Sequence, residues 1–319
     1  MRVLHPPLEP YSTHTLEREG HQVYFEECGH PDGVPVLFLH GGPGSGCRAE
    51  HRRFFDPARC RAVLVDQRGA GRSLPSGRLE HNTTSALIED LEQIRIALDI
   101  PRWVLFGGSW GAALALLYGQ CYPERVAGLI LRGSFLAREQ DLQWFIRDGA
   151  PRIYPEAWAQ LAAGLSPGGG SDLLAAIETR LHGPDELAQR RMARDWDAWS
   201  SRVALGEAYR PAAEGVEHVS LTTVHRARIE LHYARRRYFV AEGQVLDACA
   251  AVRHRPAILI HGRRDLVCPP EAALTLQRHL PDARLTMLPN AGHLAAGDEM
   301  VDALVSAVDR LLDRLQGEG

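Results

Sequence analysis

The chain has 319 residues, 45% of them hydrophobic and 24% charged, with a formal net charge of −4 at pH 7. That length accommodates one large core or two modest ones, and the slight acidity, with no basic stripe carrying interleaved aromatics, argues against a nucleic-acid partner. No stretch reaches the ~20 apolar residues of a membrane span, residues 1–20 lack the apolar run of a signal peptide, and the scattered cysteines form no C-x-x-C or Cys/His cluster; the expectation is a cytoplasmic protein with reduced thiols, no membrane partner, no metal and no cofactor.

In chain order, Gln22–Glu27 and Val36–Leu39 read as strands, the second running into His40-Gly41-Gly42-Pro43-Gly44. Ala62–Val65 is a continuously apolar run of the kind that parallel sheets bury on both faces. Thr84–Leu98 reads as a helix, with Leu87, Leu91, Ile94 and Leu98 on one face and Thr84 or Ser85 placed to cap it. Trp103–Phe106 is the next strand and leads into Gly107-Gly108-Ser109-Trp110-Gly111, after which Ala112, Ala113 and Ala115 open a helix. Gly128–Leu131 is the strand that follows.

From about residue 134 the alternation of strands and helices stops. Alanine, arginine and tryptophan dominate, β-type runs are scarce, and the stretch between Ser109 and Asp265 far exceeds one or two βα units. It reads as a helical lid inserted after the Gly128–Leu131 strand, with Leu165–Ser171 a loop inside it. Alternation resumes with Ala257–Ile260, which leads to Asp265, and with Leu285–Leu288, which leads to Asn290-Ala291-Gly292-His293. The fold class is therefore α/β, a mostly parallel central sheet with an inserted helical lid. Residues 1–133 and 248–319 form the catalytic core and residues 134–247 the cap.

The chemistry is concentrated at strand ends. A strand running into G-x-S-x-G and then a helix is the context of a nucleophile elbow, in which glycines permit a turn tight enough to push the Ser109 hydroxyl out of the sheet. The backbone amide of Trp110, directly after the serine, and that of Gly42, in the loop after Val36–Leu39, suit an oxyanion hole. His293 is of the right type for a general base with a pKa near neutrality, and Asp265 for fixing its tautomer and stabilising the imidazolium. The order Ser109, Asp265, His293 along the chain is the order used by α/β hydrolases.

These motifs resemble the proline iminopeptidase (prolyl aminopeptidase) family of the α/β-hydrolase fold nearly end to end. Besides the His40–Gly44 and Gly107–Gly111 motifs, the resemblance rests on Asp66-Gln67-Arg68-Gly69-Ala70-Gly71-Arg72-Ser73, Asn82-Thr83-Thr84, Leu131-Arg132-Gly133-Ser134-Phe135 and Ala227-Arg228-Ile229-Glu230. It implies a metal-independent serine aminopeptidase that releases N-terminal proline from short peptides. Carried over by position, Phe135 and Phe145 line the proline ring pocket, Arg132 and Cys268 stand beside it, and Glu230 meets the ammonium. Without the resemblance, Glu230 reads first as a helix-surface partner of Arg226 at i,i+4, worth about 0.3–0.5 kcal/mol.

One position departs from the pattern. Relatives carry W-x-x-W-E with the glutamate as a second ammonium ligand, whereas Trp196-Asp197-Ala198-Trp199 is followed here by Ser200. A hydroxyl does not neutralise a cation, so the amine subsite lacks a charge unless Asp195 or Asp197 reaches it. The two tryptophans read as lid core. Ser200 keeps open a related amidase or esterase of relaxed preference. An intact triad argues against a catalytically silent hydrolase-fold binding protein. Oligomeric state has no signature in the sequence.

Overall fold

The computed structural model describes residues 1–163, 165, 173–211 and 215–317. The loop expected at 165–171 lies, but for Leu165, outside them. Eight strands form one sheet in the order β1-β2-β4-β3-β5-β6-β7-β8. They are β1 Ser12–Arg18, β2 His21–Gly29, β3 Val34–Leu39, β4 Cys60–Val65, β5 Trp103–Gly108, β6 Val126–Arg132, β7 Ala257–Gly262 and β8 Arg284–Leu288. From β4 onward across the sheet every pairing is parallel, while β1 and β2 pair antiparallel at one edge. This is the α/β-hydrolase architecture.

The apolar runs of the central strands are explained by helices on both faces. Successive side chains alternate, so Leu37, Leu39, Trp103 and Leu105 enter one core while Val36, Phe38, Val104 and Phe106 enter the other. The first core is closed by the helices Thr84–Ala97, Trp110–Cys121, Gln244–Val252 and Pro270–His279, the second chiefly by Asp298–Gly317. In that last helix Met300, Leu304, Ala307, Val308, Leu311 and Leu312 recur at helical spacing and are all buried, giving one apolar stripe against the sheet.

Two local expectations are corrected. The Thr84–Ala97 helix is capped by Thr83, whose side chain accepts from the Ala86 amide at 3.3 Å. Thr84 is instead inside the helix, and its hydroxyl donates to the Tyr238 carbonyl. The Gln244–Val252 helix buries Val245, Ala248, Cys249 and Val252 in the core, so a domain boundary at 247/248 falls within a helix.

Between β6 and β7 the helices Pro155–Ala163, Leu173–His182, Glu186–Leu205 and Leu221–Arg235 bury an apolar cluster of their own, which includes Leu161, Ile177, Trp199 and Leu231. Among the described residues no helix is long and apolar enough to cross a membrane.

Candidate active site

Ser109 sits at the junction of β5 and the Trp110–Cys121 helix with φ 56° and ψ −124°, a conformation that L-residues rarely adopt. Two glycines make the turn possible. A Cβ on Gly107 would come within 2.2 Å of the Gly111 carbonyl oxygen, and one on Gly111 within 2.1 Å of the Leu39 carbonyl oxygen. The second approach packs the elbow against the end of β3, where the His40–Gly44 loop begins. A Cβ on Gly41 would lie 3.3 Å from that of Ser109, so this loop runs beside the serine. The Trp110 amide belongs to the first turn of its helix and has no intrahelical acceptor, which leaves it free for a ligand oxygen.

Gln67, from the loop after β4, ties the two arms together. Its backbone amide donates to His40 Nε2 at 3.0 Å and its side-chain amide to the His40 carbonyl at 2.9 Å. Its side-chain oxygen accepts from the Trp110 indole at 2.9 Å. Nε2 of His40 is therefore an acceptor and Nδ1 carries the proton, donated to the Gly41 carbonyl at 2.9 Å; burial keeps this imidazole neutral by pushing its pKa down.

Asp265, after β7, and His293, after β8, meet at 2.8 Å between Oδ2 and Nδ1. A carboxylate only accepts, so Nδ1 carries the proton and Nε2 is left with its lone pair. The other carboxylate oxygen takes the amides of Val267 and Cys268 at 3.0 and 2.9 Å. Burial opposes the charge on Asp265, yet the neighbouring histidine and these amides outweigh it and hold the carboxyl below its ordinary range. His261 lies 3.6 Å from Asp265 Oδ2 and is also neutral: Nε2 donates to the Cys268 carbonyl at 2.8 Å, and Nδ1 accepts from the Ser134 amide at 3.2 Å.

Ser109 and His293 open on one cavity of about 250 Å³ roofed by the inserted helices. Its lining brings together Gly42, Phe135, Phe145, Glu230 and Cys268 from among the expected residues. Phe145 comes from a π-helical turn, Trp144–Asp148, and packs edge-on against Trp196 and Trp199, each with ring centroids 6.0 Å apart. The Cys268 thiol lies beside the Ser109 hydroxyl and stays protonated, because burial pushes its pKa well up.

Arg132 is placed elsewhere. Its guanidinium packs over Gly108 and donates to the His293 carbonyl, so it braces the histidine loop and does not line the cavity. Both tryptophans are buried in the apolar cluster of the inserted helices, as expected, and Trp196 in addition lines the cavity and donates from its indole to Glu230 Oε2 at 2.7 Å. Glu230 lines the cavity and also has Arg226 at 3.7 Å. Asp197 and Ser200 reach the lining, whereas Asp195 does not and pairs with Arg194. Sequence reasoning passed over Gln67 and His261; the D-Q-R-G motif and the histidine ending β7 were the available signals. Among the described residues no group of three metal-ligating side chains is assembled.

Comparison with known proteins adds ancestry to this geometry. Residues 34–299 match the family described as alpha/beta hydrolase fold. The chain is 42% identical over 314 residues to a protein named proline iminopeptidase from Xylella fastidiosa, covering 97% of this chain and 99% of that one. A protein of the same name from Neisseria gonorrhoeae is 40% identical over 310 residues, with 96% and 98% covered. Among solved structures, a proline iminopeptidase-related protein from Thermus thermophilus superposes with a TM-score of 0.58 at 24% identity, covering 95% of this chain and 98% of that one. A haloalkane dehalogenase from Bradyrhizobium elkani gives a TM-score of 0.67 at 21% identity, with 97% and 99% covered; likeness at this level concerns the fold alone.

Proposed function

The chain belongs to the proline iminopeptidase family of α/β hydrolases, and from that premise we propose that it is a serine aminopeptidase releasing N-terminal proline from short peptides, with Ser109, His293 and Asp265 as its catalytic triad. The observation that carries this reading is one cavity whose lining combines Ser109 and His293, the carboxylate of Glu230, and the rings of Phe135 and Phe145. An apolar ring bearing a cation fits such a chamber, because a desolvated ammonium needs a counter-charge and the ring needs none.

In the reaction Ser109 Oγ attacks the prolyl carbonyl carbon while its proton passes to His293 Nε2. The amides of Gly42 and Trp110 receive the oxygen as it becomes an alkoxide, and each such donor is worth about 10²–10³ in rate. The tetrahedral centre then collapses: the bond to the peptide nitrogen breaks, and His293 gives its proton to that nitrogen. Water attacks the resulting prolyl ester, losing a proton to His293. The Ser109 oxygen leaves and takes that proton back, and free proline is released.

In this reading the cap begins at about residue 134 and closes over a core made of residues 1–133 and the chain from the Gln244–Val252 helix onward. It excludes long or folded substrates. A panel of arylamides of proline, alanine, glycine and N-acetylproline tests the assignment. Fast cleavage of the free prolyl compound alone is the expected result. Equal cleavage of the N-acetylated compound would make the enzyme a general amidase, the alternative that Ser200 favours.

A further inference from the structure

The amine subsite of this chain contains a cation of its own. Arg226, on the Leu221–Arg235 helix, is in contact with Asp197 of the Glu186–Leu205 helix through Nη2 and faces Glu230 through Nε at 3.7 Å. All three line the cavity that holds Ser109. Exposure grades inward: the side chain of Asp197 is 42% exposed, that of Arg226 35% and that of Glu230 19%. Ser200, on the same helix as Asp197, brings a hydroxyl and no charge. With every group ionised, Asp197, Arg226 and Glu230 together carry one net negative charge, which a single substrate ammonium balances.

We propose that Arg226 is a specificity-determining counter-ion: it stands in for the substrate's ammonium at Glu230 while the cavity is empty, and Asp197 retains it when the substrate arrives. This inference rests on the assignment of the cavity to a substrate with a free amine. Two observations give Arg226 that task. Glu230 is enclosed, and burial pushes its carboxyl towards the neutral form; Arg226 is the strongest opposing influence, ahead of the Trp196 hydrogen bond, while Asp197 adds to the upward push. A neutral carboxyl attracts no ammonium. Second, Asp197 is the more exposed partner and already holds the guanidinium, so Arg226 gives up its longer contact without being stranded.

Three other titratable groups of the cavity lining, Tyr238, Asp141 and Cys268, do not substitute for Arg226. Tyr238 comes from the Arg237–Phe239 turn, and burial keeps its phenol protonated. Asp141, on the Glu139–Gln143 helix, is held by Arg138 at 2.7 and 3.1 Å. Cys268, at the catalytic end, is a neutral thiol.

The test compares wild type, Arg226→Gln and Arg226→Lys from about pH 5 to pH 9. Because the Trp196 indole hydrogen-bonds to Glu230, the titration of this carboxyl is read from tryptophan fluorescence, with Trp196→Phe identifying the signal. In Arg226→Gln the midpoint moves up by a unit or more, and Arg226→Lys restores it. In parallel, KM for a free prolyl arylamide rises about tenfold for each unit by which the midpoint exceeds the working pH, and the loss is recovered at high pH, with kcat changed little. An unmoved midpoint, or a KM increase equally large for a prolyl ester analogue lacking the amine, overturns the proposal. A wild-type enzyme that releases no proline overturns the substrate assignment instead, and the fluorescence midpoint still decides the role of Arg226.

Discussion

Gln67 Oε1 lies 2.9 Å from the indole nitrogen of Trp110, so a residue remote from the cavity lining grips the amino acid that follows the nucleophile. The same side chain holds the His40 carbonyl, and the two grips fix the spacing between the loops that carry the Gly42 and Trp110 amides. Gln67→Leu should therefore lower kcat by about 10- to 100-fold with little change in KM, because a displaced oxyanion donor is missed in the transition state more than in the bound substrate. Steady-state kinetics on the prolyl arylamide measure the split. A change confined to KM would separate Gln67 from the oxyanion site.

Ser109→Ala and His293→Ala should each abolish turnover to the same floor, since members of a triad act as a unit. Circular dichroism and thermal melting should show both variants folded. More than a few per cent of wild-type rate in either would remove that residue from the chemistry. A chelator should leave the rate unchanged, and a loss restored by zinc would contradict a triad mechanism.

Glu230→Gln should cost about 2–5 kcal/mol in kcat/KM for the free prolyl arylamide, because it strands a desolvated ammonium, and much less for an ester without an amine. Ser200→Glu should add a second carboxylate to the lining and sharpen discrimination between the free and the N-acetylated prolyl compound. Parallel measurement of both variants on both substrates decides the matter. Equal losses for Glu230→Gln on the two would make that residue a support of the cap.

Stability should decline on acidification from the neutral side, and His51 supplies a marker for it. Burial, with the Arg48 charge adding to it, pushes its pKa from 6.5 to about 3, and Nδ1 accepts from the Arg48 amide at 3.1 Å. Above pH 6.5 both the folded and the unfolded chain hold this imidazole neutral, and its contribution is intact. Between 6.5 and about 3 only the unfolded chain binds the proton, so stability falls by about 1.4 kcal/mol per pH unit for this one group, and below that window no more is lost. Denaturant titrations at several pH values should give a shallower slope for His51→Gln than for wild type over this window. Identical slopes would refute the assignment.

The parts of the molecule legible in the sequence are those where local pattern and global fold agree. β5 is apolar at every strand position and ends in a glycine-serine turn, so strand, elbow and proposed nucleophile are announced together. β1 was passed over because Ser12–Arg18 is an edge strand, half exposed along its length, and its polar residues carry no apolar run to betray it. The roles of Arg132 and Gln67 depend on partners far along the chain, His293 in one case and Trp110 in the other, and no periodicity records a contact of that kind. Trp196 and Trp199 stand three apart on one helix and both enter the apolar cluster of the inserted helices, yet only Trp196 also reaches the cavity, a difference that residue type does not announce. Asp197 and Asp195 illustrate the same limit: both flank Trp196, and only helix phase decides which reaches the cavity.

The backbone of Ser109 has a thermodynamic consequence of its own. At φ 56° and ψ −124° a side chain is tolerated only because the surrounding sheet and helix impose the turn, and a conformation of this kind costs about 1–3 kcal/mol. Glycine would occupy it with less strain, so a substitution expected to make this protein harder to melt is also one that removes the proposed nucleophile. Thermal stability and turnover are thus antagonistic at one residue, and any selection for heat resistance alone would tend to extinguish the enzyme while keeping the fold.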